Sequence, residues 1–140
     1  MSDAAGRRMI GSGPFHGHFS VKDGGNIAIK RIHDSPADSD GQRVLVDRLW
    51  PRGISKERAQ LDHWLREIAP SDALRKQFGH HPDRWDDFVA AYDRELSRNT
   101  AVAELQRLVA NGKVTLLYAA RDTHQNNAVA LRDWLLRIGD

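Results

Sequence analysis

Two periods of apolar residues run along the chain, a short one that marks strands and a longer one that marks helices. Ile27-Ala28-Ile29-Lys30-Arg31-Ile32 alternates and is rich in β-branched side chains, so it predicts a first strand. His33 to Gly41, with Pro36 set among Asp and Ser residues, reads as a turn-rich loop. Arg43 to Trp50 predicts a second strand, whose unbroken Val44-Leu45-Val46 run calls for burial on both faces; Pro51 and Gly53 stop it. Val114 to Ala119 is the clearest buried strand in the chain.

Between the second and third strands the spacing lengthens. Ser55 is a candidate N-cap for a helix whose stripe is Leu61, Trp64, Leu65 and Ile68, ended by Pro70. Ser71 can cap a short helix from Leu74 to Phe78, after which Gly79-His80-His81-Pro82 breaks the chain. Trp85, Phe88, Val89, Tyr92 and Leu96 mark the next helix. Val102, Leu105, Leu108 and Val109 mark another from about Thr100, with Asn111-Gly112 as a left-handed stop. A polar turn, Arg121 to Asn127, leads to a final helix with Ala128, Leu131, Leu135 and Ile138 on one face.

This order predicts an α/β fold in one domain, a small, mostly parallel sheet flanked by helices and spanning residues 27–140. Residues 1–26 hold six of the eleven glycines and no sustained period, so they are expected to form a flexible leader.

Composition narrows the picture. At 140 residues with 40% hydrophobic residues, the chain can build one real core and hardly two. Without cysteine it has no disulfide, no thiolate nucleophile and no thiolate metal site. No stretch approaches the roughly 18 apolar residues of a membrane helix, and the first 25 residues lack a signal-peptide core; a cytoplasmic protein with no membrane partner is expected. Lys and Arg exceed Asp and Glu by only 21 to 19, so total charge does not argue for nucleic acid. Locally, however, Arg43, Arg48, Arg52, Lys56 and Arg58 face only Asp47 and Glu57, an excess suited to receiving an anion.

If the second and third strands are parallel neighbours, the loops after them share a crevice at the carboxyl edge of the sheet, where open α/β folds bind ligands. The second strand brings Asp47, Arg48, Trp50 and Arg52 there; the third brings Tyr118, Arg121, Asp122, His124, Asn126 and Asn127. Arginines offer forked donors to phosphate or carboxylate, and Trp50 offers a stacking face. Asp47 and Asp122 are the candidates for base or orienting group. The competing reading is structural: Asp47 pairs with an arginine and only fixes its loop. Trp64, Trp85 and Phe88 are core by their spacing. His16 with His18, and His80 and His81 with Asp83, lack the spacing of a recognised site, so no metal is expected. GxSxG, phosphate-loop and GxGxxG signatures are absent, and no cofactor is expected.

The run Val44-Leu45-Val46-Asp47-Arg48-Leu49-Trp50-Pro51-Arg52-Gly53, followed by Ser55-Lys56, resembles the hallmark of the YeaO-like proteins, a bacterial family of unknown function. Trp64 to Ser71 with Leu74-Arg75, then Phe88, Tyr92, Glu95 and Leu96, then Val114 to Ala120 match its later blocks, covering about residues 27 to 138. The resemblance implies a bacterial, intracellular α/β domain and brings no established reaction. It departs at the last turn: Arg121 and Asn127 stand where relatives often carry lysine and histidine, which removes a histidine base from that place here.

Two functions from different classes follow as expectations. One is a protein that binds or processes a small anionic ligand, held by Arg48, Arg52 and Arg121. The alternative is a nucleic-acid or regulatory protein-binding module that uses the basic 43–58 region and Trp50. In a third reading the polar cluster is structural and function lies in oligomer contacts.

Overall fold

The computed structural model describes residues 26–79 and 81–139. The expected leader and the His16 and His18 pair lie outside these residues, as does His80 of the second histidine pair.

Among the described residues four parallel strands form one sheet: β1 (Ile27–Arg31), β2 (Gln42–Leu45), β3 (His63–Trp64) and β4 (Val114–Tyr118), in the order β1-β4-β2-β3. β4 is central and buried at each of its five residues. It pairs Ile27 to Arg31 of β1 with Val114 to Tyr118, and Gln42 to Leu45 of β2 with Val114 to Leu117. The helices are α1 (Lys56–Ala59), α2 (Asp72–Phe78), α3 (Trp85–Leu96), α4 (Ala101–Asn111) and α5 (Asn127–Ile138). None of the helices among the described residues is long and apolar enough to cross a membrane.

Alternation along the strands divides two apolar clusters. Val44 and Val46 with Leu116 and Tyr118 join the larger one, with Tyr92, Leu96, Leu105, Leu131 and Leu135 from the helices. Leu45 and Leu117 join the smaller one, with Ile32, Ile54 and Ala59, and with Trp50 and Trp64 against it. Both faces are therefore covered, as the Val44 to Val46 run requires, and each of those three side chains is fully buried.

The predicted helix from Ser55 to Pro70 is the main correction. Ser55 does cap a helix, with its hydroxyl accepting from the Arg58 N–H at 3.0 Å. That helix stops after Ala59, where Gln60 turns left-handed (φ 47°). The cause is a buried cation beneath it. Arg43 is inside the fold and donates to the carbonyls of Ala59 (2.7 Å) and Gln60 (3.1 Å), which occupies the acceptors a continuing helix would use. The chain then runs extended. Asp62 caps the Arg43 N–H at 2.8 Å, and His63-Trp64 becomes the edge strand β3, in register with Val44-Leu45. Leu61, Trp64 and Leu65 are half-buried on a strand and its flanks, not a helical stripe.

Arg43 itself is balanced by Asp40, 2.6 Å away, which also takes Lys30 at 2.8 Å and the Ala37 N–H at 3.0 Å. Burial alone would raise the Asp40 carboxyl; these donors outweigh it and hold it below its ordinary value. Two smaller corrections concern helix ends. Gly112 closes α4 at φ 152°, ψ −171°, a glycine conformation but not the left-handed helical one. Ile138, expected on the buried face of α5, is 45% exposed, because the helix has run past the core at its last turn.

Candidate functional site

All four strands are parallel, so the loops leaving β2, β3 and β4 emerge at one edge. The loop after β2 begins with Val46, whose N–H still reaches the Leu117 carbonyl at 3.1 Å. Asp47 follows and joins three segments. One carboxylate oxygen accepts the Ala119 N–H (2.9 Å); the other accepts the Asn127 side-chain amide (3.1 Å), which also donates to the Val46 carbonyl (3.0 Å). The Asp47 carbonyl accepts the Trp64 indole N–H at 2.7 Å. Burial pushes the Asp47 carboxyl above its ordinary value, against the lowering effect of Asn127, Ala119 and the charge of Arg75.

Asn126 caps α5. Its side-chain oxygen accepts the Val129 N–H at 2.9 Å and its amide donates to the Asp122 carbonyl at 2.9 Å. Asp122 folds the preceding turn by accepting the N–H groups of His124 (2.8 Å) and Gln125 (3.0 Å).

These loops enclose a hollow of about 490 Å³. The segment after β2 lines it from Asp47 to Arg52, the segment after β3 with Ala69 and Pro70, and the segment after β4 with Ala119, Ala120, Gln125, Asn126 and Asn127. α2 adds Arg75, Lys76 and Phe78, and α3 adds Phe88. Four cations therefore border the hollow against the single carboxylate of Asp47. A second hollow, about 420 Å³, shares Phe78, Ala119, Ala120 and Gln125 with the first and is bordered by Arg121 and Asp122.

The predicted residues divide by position. Asp47, Arg48, Trp50, Arg52, Asn126 and Asn127 meet at the main hollow; Arg121 and Asp122 lie at the adjoining one. Tyr118 lines neither, being a core residue 2% exposed on β4; burial raises its hydroxyl's proton affinity. Arg48 is already occupied: it donates to the carbonyls of Ala69 (3.1 Å) and Pro70 (3.4 Å) and lies 3.6 Å from exposed Glu67. Trp50 donates its indole N–H to the Ile54 carbonyl at 2.7 Å and meets Trp64 edge to face at 5.3 Å, so part of its ring belongs to the smaller core. Arg52 is exposed. Among the described residues no ion pair joins Asp47 to an arginine; neutral N–H groups hold it instead. Of the basic residues between 43 and 58, Arg43 is buried, and Arg58 donates to the His33 carbonyl at 2.9 Å.

Sequence reasoning missed Arg75, Lys76 and Phe78. The Ser71 cap makes α2 itself legible, but its place at the hollow is hidden because the residues of β3 carry the spacing of a helix. Ser71 is held firmly: its hydroxyl caps the Leu74 N–H at 3.2 Å and donates to Glu95 at 2.6 Å, and Glu95 also accepts the Ser71 N–H at 2.9 Å. Tyr92 supports the same connection through its hydroxyl, which donates to the Ile68 carbonyl at 2.6 Å.

A family model described as the inactive DUF488-N3 subclade matches residues 26–138. An uncharacterized protein of Escherichia coli (strain K12), YeaO, is 44% identical over 111 residues, covering 79% of this chain and 96% of that protein. An uncharacterized protein of Mycobacterium tuberculosis is 38% identical over 109 residues, covering 78% of this chain and 92% of its own length. No solved structure matches the chain.

Proposed function

The chain belongs to the YeaO-like family, and on that footing we propose that it binds a small anionic ligand, phosphate- or carboxylate-bearing, at the carboxyl edge of its sheet. The observation that carries this reading is the charge balance of the main hollow, where Arg48, Arg52, Arg75 and Lys76 stand against Asp47 alone. Arg52, Arg75 and Lys76 hold the anion in this reading, and Arg48 fixes the Ala69-Pro70 wall. Arg121 serves the adjoining hollow. Asn126 and Asn127 set the entry to α5 and contribute amide groups.

Binding without turnover is favoured over catalysis. The matched family is described as an inactive subclade, and both oxygens of Asp47 accept hydrogen bonds from the chain itself. Asp47 therefore orients the two loops, and Asp122 shapes the turn before α5.

Thermal unfolding in inorganic phosphate tests the proposal. At about ten times its Kd the ligand raises the midpoint by about 5 °C, and Arg52→Ala combined with Lys76→Ala abolishes the shift. A wild-type midpoint that does not respond, or a shift that survives both substitutions, overturns it.

A further inference from the structure

We infer that the anion this hollow takes carries an aromatic ring, with α2 as the element that reads both parts of it. The inference rests on the anion-binding reading above and names the ligand class for the same site.

The four cations differ in how free they are. Arg48 is spent on the Ala69 and Pro70 carbonyls. Arg75 is exposed and, among the described residues, pairs only with exposed Asp72, three residues before it on the same helix, a contact that costs little to exchange. Lys76 is exposed, with no hydrogen bond or ion pair among the described residues. The charge of Arg75 nonetheless lowers the proton affinity of Asp47, which borders the same hollow. The available positive charge is thus on α2 and at Arg52.

The rest of the lining is of another kind. Phe78, three residues after Arg75 on α2, is nearly buried (7% exposed) and borders both the main and the adjoining hollow. It packs at a tilt against Phe88, 4.7 Å between ring centroids, and Trp50 also borders the main hollow. Ala119 and Ala120 add only methyl groups to the lining. A bare phosphate satisfies the cations and leaves this apolar surface wet. An alkyl chain covers it without matching the rings, whereas a flat ring does both. At about 490 Å³ the hollow has room for a ring and its anionic substituent together.

Calorimetric titration of the full chain with phenyl phosphate, n-butyl phosphate and inorganic phosphate tests the inference. Phenyl phosphate is expected to bind about 10-fold tighter than inorganic phosphate and clearly tighter than n-butyl phosphate. Lys76→Ala weakens all three alike, while Phe78→Leu removes only the advantage of the ring. Equal affinity for phenyl and n-butyl phosphate, or for phenyl and inorganic phosphate, overturns the aromatic inference and leaves the anion site standing. Failure of all three ligands to bind removes both. If the Phe78 variant does not fold, the ranking of the three ligands on the wild-type chain still decides between a ring and a bare anion.

Discussion

Asp47 is a carboxylate that the chain has made partly reluctant to ionise. Burial raises its proton affinity, and two N–H donors with the charge of Arg75 only partly offset that. A carboxyl whose folded value lies above its unfolded one stabilises the fold when protonated, and that contribution is lost as pH rises through the raised value. On the proposed function the same sign governs anion binding: a neutral Asp47 no longer repels an anion in the hollow. Sulfate, which keeps its charge throughout, should therefore bind more tightly as pH falls through the titration of Asp47. Asp47→Asn should flatten that dependence and tighten sulfate about 5-fold at neutral pH, since its amide oxygen still accepts from Ala119. Calorimetry across pH checks both, and a variant that keeps the wild-type slope sinks the assignment.

At the scale of elements, the decisive event is the early end of α1. A buried guanidinium claims the last carbonyls of the helix, Gln60 turns left-handed, and the freed chain becomes β3. Residues with helical spacing thereby serve a strand, and α2 begins at the carboxyl edge of the sheet. The entry to β2 is equally constrained. Gly41 has φ 64°, and a Cβ there would lie 2.6 Å from the Lys113 carbonyl oxygen, which accepts the Gln42 N–H. Gly53 also has positive φ (81°), but a Cβ there meets nothing within 4 Å. Chemical denaturation should separate the two. Gly53→Ala is expected to cost about 1 kcal/mol from backbone strain alone, and Gly41→Ala more than about 2 kcal/mol because backbone must also move. Equal losses would mean that the Lys113 contact yields freely.

Over the whole molecule, stability is graded outward from β4. That strand is paired on both sides and buried on both faces, while β3 is a two-residue edge strand with half-buried side chains. Hydrogen exchange should show β4 amides protected to the limit of global unfolding and those of His63 and Trp64 exchanging at least about 100-fold faster. Uniform protection would contradict this gradation. The sequence alone determined the places of three of the strands and of the later helices, because these depend on local periods, caps and breakers; it ran the second strand on to Trp50, whereas β2 ends at Leu45. Ser71, Asn126 and Gly79 act as their residue types demand. What waited for tertiary structure was every feature set by a partner distant in the chain. Arg43 ends a helix 16 residues away, and β3 exists only beside β2. Arg48 is drawn to carbonyls rather than solvent, and Arg75, Lys76 and Phe78 border the hollow because β3 delivers α2 there. A period in sequence reports which side of an element is apolar; it carries no record of which remote carbonyl or carboxylate will meet a charge.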